Sequence, residues 1–94
     1  MTDNYRVCSS KTWNHAFKIA IVEDRPIMLD YWAPSLEKKV LIGVKKDGEK
    51  LLVKSDEEYT SPIAKIFQVE NEFIILTENS LYITSSEIDK RQIA

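Results

Sequence analysis

The stretch Phe73-Ile74-Ile75-Leu76-Thr77-Glu78-Asn79-Ser80-Leu81-Tyr82-Ile83-Thr84 decides the reading of this chain. Two β-branched and aromatic runs flank Glu78-Asn79, a pair suited to a tight turn. Alternation along each run then sorts the side chains. Ile74, Leu76, Leu81 and Ile83 form one aliphatic side. Phe73, Ile75, Thr77, Ser80, Tyr82 and Thr84 form a side of rings and hydroxyls. With a two-residue turn, Thr77 lies opposite Ser80, Ile75 opposite Tyr82 and Phe73 opposite Thr84. The expectation is a hairpin with a greasy inner side and a second side available for contact.

Similar short runs recur upstream. Lys39 to Lys45 and Glu49 to Lys54 flank Lys46-Asp47-Gly48, where glycine supplies a positive φ. Both of these runs carry apolar residues on two faces, which predicts strands covered on both sides. Thr60 to Val69 reads as a strand entered through Pro62, and Ser55 to Glu58 as a polar loop. Phe17 to Glu23 reads as a strand after a short helical lead-in from Trp13. Asp24-Arg25-Pro26 is a turn. Ile27 to Trp32 is a further strand, broken by Ala33-Pro34-Ser35 because proline cannot donate to a ladder. Ser86 to Ala94 reads as a C-terminal helical turn, with Ser86 as cap and its charges matched to the helix dipole. Residues 1–12 are expected to be flexible.

About seven short strands with tight turns predict one all-β domain over residues 1–94. The expected architecture is a small antiparallel barrel of the SH3-like kind or a compact sandwich, ending in the helical turn. The length of 94 residues suits one domain. Apolar residues make up 44% and charged residues 30%, a globular composition. No apolar run approaches the length of a membrane span, and no secretory signal is visible, so a cytoplasmic location is expected, in the host cell if the source is viral.

Net charge is −2, unevenly spread. Residues 38–54 carry six lysines against two carboxylates, and residues 55–94 carry three cations against eight carboxylates. Such a balance argues against a nucleic-acid binder. The lysine segment suits either a local anion-attracting face or strand edges protected against aggregation. Cys8 and His15 are the only residues of their types, so neither an internal disulfide nor a Cys/His metal site is expected. No phosphate-loop or nucleophile-elbow motif occurs. The reading is of a binding protein without a cofactor, not an enzyme; catalysis through His15 is the weakest alternative.

Rings beside hydroxyls and amides suit stacking on a base and hydrogen bonding to its edges. Tyr59, Thr60, Ser61, Thr77, Asn79, Ser80 and Tyr82 are therefore the candidate ligand residues. Strand propensity and turn preference account for the same residues equally well. Tyr31 and Trp32 are adjacent and expected on opposite faces, one in the core and one anchoring an interface.

Thr60-Ser61-Pro62-Ile63 followed by Thr77-Glu78-Asn79-Ser80-Leu81-Tyr82 resembles the end of small phage and viral β proteins. Among these it is similar to the phage nucleotide sponges that block Thoeris-type antiviral signalling. The resemblance covers about the last third of the chain. It implies a non-catalytic homo-oligomer that sequesters a cyclic nucleotide messenger between subunits. It also implies a polar strand motif at Thr77, Asn79 and Ser80, and Arg91 as a phosphate partner. The alternative from the residues themselves is an SH3-like protein-interaction module, or an inhibitor or structural subunit of a larger assembly.

Overall fold

The structure, a computed structural model, describes residues 7–93. Helix α1 spans Ser10–Glu23, and strand β1 spans Ile27–Met28. Helix α2 (Trp32–Leu36) follows, then strands β2 (Leu41–Val44), β3 (Lys50–Val53), β4 (Ile63–Val69), β5 (Glu72–Thr77), β6 (Leu81–Ser85) and β7 (Asp89–Gln92). One sheet has the order β1-β6-β5-β4 and the other β3-β2-β7. Two of the pairings are parallel, β1 with β6 and β2 with β7. The fold is thus predominantly β with a long helix. It is neither all-β nor purely antiparallel, and the described strands close no barrel.

The β5–β6 hairpin has the expected register, with Phe73 opposite Thr84 and Ile75 opposite Tyr82. Its two sides feed two cores. Ile74, Leu76, Leu81 and Ile83 pack beneath α1 with Ala16 and Trp32. Ile75, on the other side, packs with Tyr31, Val40, Ile42, Leu52 and Ile88 from the small sheet and its approaches. The layers therefore run helix, four-stranded sheet, three-stranded sheet. Ile74, Ile75, Leu81, Ile83 and Leu52 are all fully enclosed. Each contributes roughly 1.5–3 kcal/mol through removal from water.

Several local expectations are corrected, each for a physical reason. Phe17 to Glu23 is helix, not strand. Ser9 caps the helix, its hydroxyl accepting from Thr12 N–H at 3.2 Å. The buried positions Thr12 and Ala16, with half-buried Ile19 and Ala20, then follow helical spacing. Residues 10–12, expected to be flexible, are the first turn of that helix; residues 1–6 lie outside the described residues. Asp24 closes α1 in the left-handed region at φ 56°, where its short polar side chain is tolerated.

Trp32 is helical rather than strand, and Pro34 sits inside α2 instead of breaking it. Pro34 falls in the first turn, where N–H groups have no intrahelical partner to lose. Ser35 fixes this helix: its hydroxyl donates to the Trp32 carbonyl at 2.6 Å and accepts from Ser85 N–H at 2.9 Å.

The C-terminal segment is a strand, not a helical turn. Ile88 is buried in the second core, and Ile93 N–H donates to the Val44 carbonyl at 2.8 Å. A short helix cannot nucleate on its own, whereas an open sheet edge offers partners at once. The β2–β3 hairpin forms around Gly48 at φ 90°, but only its Ile42 and Leu52 side is core. Leu41, Leu51 and Val53 are half-buried on the outer side.

Candidate binding surfaces

Pairing of Ile63 with Thr77, and donation from Glu78 N–H to the Pro62 carbonyl at 3.2 Å, bring the Thr60–Pro62 and Thr77–Ser80 segments side by side. Their hydroxyls are directed into the chain. Thr77 is 1% exposed; its hydroxyl donates to the Ser80 carbonyl at 3.0 Å and accepts from Ser80 N–H at 3.1 Å and Asn79 N–H at 3.3 Å. The Thr60 hydroxyl accepts from Leu52 N–H at 3.1 Å and donates to the Ser61 carbonyl at 2.8 Å. Ser80 and Thr84 are buried, Ser61 is half-buried and Asn79 stands exposed at the turn. The expectation of an accessible ring-and-hydroxyl side is corrected, because the three-stranded sheet covers it.

Tyr31 and Trp32 both point inward, one into each core, at 5% and 7% exposure. The expected interface member of this pair is therefore internal. The Tyr31 ring meets Tyr82 edge-on at 5.2 Å, and Lys54 Nζ lies 4.6 Å from its centroid. Burial pushes the Tyr31 phenol up to about 12, helped by Tyr82, Asp30 and Glu58. Burial and the Asp30 charge raise Tyr82 as well, against a hydrogen bond with Ser80. These rings pack edge to face in the core between the two sheets.

Tyr59 and Arg91 belong to the small sheet instead. Tyr59 is 59% exposed and forms an isolated bridge with Val53. It shares an open groove of about 370 Å³ with Lys45, Leu51, Val53, Ser55, Asp56 and Ile93. Gly43 lies under two of these residues: a Cβ there would stand 2.8 Å from Ile93 Cδ1 and 3.1 Å from Val53 Cγ2. Arg91 is exposed on β7 and bonds Asp89 at 3.2 Å.

A second surface runs along α1. Trp13, Phe17 and Ile21 recur at four-residue spacing and form a ridge. The Trp13 and Phe17 rings are 5.0 Å apart, and Phe17 and Ile21 are 48% and 79% exposed. Beyond Trp13 the ridge continues into a small apolar cleft of about 120 Å³ lined by Val7, Cys8, Trp13, Leu29 and Trp32. Exposed residues between Ser10 and Val22 include Lys11, His15 and Lys18 and no carboxylate. The sequence carries this ridge as Trp13-x-x-x-Phe17-x-x-x-Ile21. It is obscured there because Ile19, Ala20 and Val22 fill the intervening places and imitate a strand.

Burial, then the nearby Glu72 charge, raises the Cys8 thiol. Among the described residues no three of the His, Cys, Asp and Glu side chains cluster as metal ligands would. No described helix is long and apolar enough to cross a membrane. The chain matches no known protein-family model, no curated protein and no solved structure.

Proposed function

We propose that this chain is a non-catalytic binding domain that engages another protein through the exposed face of α1. The observation that carries this reading is the Trp13–Phe17–Ile21 ridge, with its most exposed member 79% open to water. Contiguous apolar surface of this kind marks interaction sites in folded domains, whereas scattered single residues do not. The ridge stands on a helix already packed over the hairpin through Ala16 and Ile19, so docking it adds little ordering cost. Affinity purification with Ile21→Glu as control tests the reading. A partner retained by the unmodified chain and lost by the variant, with unchanged circular dichroism, supports it; identical profiles count against it.

The nucleotide-sponge reading draws on a different observation, the groove where the open Tyr59 ring stands with Lys45 and Ser55 nearby. A ring and a cation suit a base and a phosphate. A thermal-shift panel of cyclic nucleotides tests it: stabilisation by one of them, abolished in Tyr59→Ala, favours this alternative.

A further inference from the structure

We infer that the outer edge of β4 pairs antiparallel with the same edge of a second copy of this chain, with Phe67 on the two-fold axis. This surface is distinct from the α1 ridge.

Strand β4 is the longest described strand and stands at the end of its sheet. The hairpin beside it fixes which way its backbone faces. Thr77 N–H donates to the Ser80 carbonyl at 2.9 Å, so Thr77 turns its backbone toward β6. Successive strand residues turn their backbone groups to opposite edges, so Leu76, Ile74 and Glu72 face β4. Their partners Lys65, Phe67 and Val69 are the bonded residues of β4. Ile66 and Gln68 therefore turn N–H and C=O outward. Among the described residues, these backbone groups have no hydrogen-bond partner. Both residues are exposed, and the Gln68 side chain donates to the Glu70 carbonyl at 3.1 Å instead.

An open row of backbone donors and acceptors takes an extended strand. This edge is its own complement. The register breaks between Ile63 and Lys65, which leaves Lys65 to Val69 as the regular stretch, with Phe67 at its centre. A two-fold axis there sets Ile66 opposite the partner's Gln68, and each such pair exchanges two backbone hydrogen bonds. Phe67 meets its own symmetry mate at a non-bonded position, where facing side chains come closest. Phe67 and Val69 are half-buried and floor an open groove of about 350 Å³ beside α1, with Lys11, His15 and Glu70 on its rim. The partner's ring covers apolar floor that water otherwise wets.

Charge agrees with this register. Lys65 falls opposite the partner's Val69 and beside the partner's Glu70. That carboxylate is then shared with Lys11 and His15 of its own chain. The two Lys65 side chains stand about 14 Å apart along the strands, more than a screening length. A lysine on an edge strand repels a copy that sets another lysine against it; here it meets a valine and a carboxylate. Besides the backbone bonds, a copy of β4 thus supplies a ring for Phe67 and a cation for Glu70 in one register, and the four-stranded sheet continues through both copies.

Sedimentation of the full chain from micromolar to millimolar concentration is expected to show a monomer–dimer equilibrium. Gln68→Pro deletes an outward N–H and no bond to β5, and is expected to abolish the dimer. Gln68→Ala keeps that N–H and is expected to retain it. Both variants lose the exposed side-chain bond to Glu70, and circular dichroism checks that both fold. Hydrogen exchange on the unmodified chain needs no variant: the Ile66 and Gln68 amides are expected to gain protection as concentration rises. Lys65→Glu is expected to weaken the dimer about fivefold, and Glu70→Lys in the same chain to restore it. A monomer at every concentration overturns the inference, as does exchange at Ile66 and Gln68 that is independent of concentration. A dimer that survives Gln68→Pro and dissociates with Ile21→Glu assigns the contact to the α1 ridge and also overturns it. Loss of the dimer in Gln68→Ala counts against backbone pairing, and failure of the charge swap to restore the dimer counts against the register centred on Phe67.

Discussion

The Thr12 hydroxyl donates to Glu72 Oε1 at 2.5 Å, joining the first turn of α1 to the start of β5. Ser9 N–H donates to the same oxygen at 3.1 Å. A buried carboxylate thus satisfies donors at the positive end of the helix. These bonds help set where the helix lies over the hairpin, and hence which way its ridge points.

Removing that carboxylate leaves buried donors unpaired. Glu72→Ala is expected to cost about 2–3 kcal/mol, and Glu72→Gln less, because an amide oxygen still accepts. Urea denaturation checks the ranking. Equal stability of Glu72→Ala and the parent chain contradicts it.

Cys8 sits near the same carboxylate, with its thiol raised by burial and then by the Glu72 charge. Less thiolate is present at neutral pH, so alkylation is slower than for a free thiol. Its pH–rate profile should lie to the alkaline side of the free-thiol profile. Glu72→Gln should move it back toward acid, and an unmoved profile would separate the two groups.

Tyr31 makes stability fall at high pH. The unfolded chain releases this phenolic proton near pH 10, and the folded chain only at about 12. The contribution is complete below pH 10 and is lost as pH rises toward 12, because the unfolded state then binds fewer protons. Tyr31→Phe should flatten stability measured by denaturant titration across that interval. A slope unchanged by the substitution would assign it to other groups.

Gly43→Ala introduces a methyl 2.8 Å from Ile93 Cδ1, which must swing away. A loss of about 1 kcal/mol is expected, at the low end for overpacking because the nearest atom ends a flexible side chain. Hydrogen exchange should quicken at Ile93 N–H, which bonds the Val44 carbonyl. Unchanged protection there would mean that the C-terminal strand does not depend on this close approach.

The β5–β6 hairpin is legible in the sequence because strict alternation and a two-residue turn fix its register locally. Its aliphatic side is recognisable as core for the same reason. What alternation cannot reveal is what covers the other side. The cover comes from β2 and β3, well upstream, and from Ile88 beyond the hairpin. Helix α1 is hidden by β-branched residues and by Thr12, a polar side chain in a buried position whose partner, Glu72, lies 60 residues away. The pairing of β7 with β2 is likewise long-range, and the charges of residues 87–91 fit a helix dipole as well as an open strand edge. Tyr31 and Trp32 do enter different cores, but as the cap and first residue of α2 rather than by the strand alternation expected of them, and each side has a core to receive its ring.

Photo-crosslinking in cells that express the protein tests the interaction surface most directly. Benzoyl-phenylalanine placed at Phe17 is expected to yield a discrete protein adduct, while the same group at Asn79, on the hairpin turn, yields none. Adducts from position 79 and none from position 17 would contradict the assignment of the α1 face as the place where this domain meets its partner.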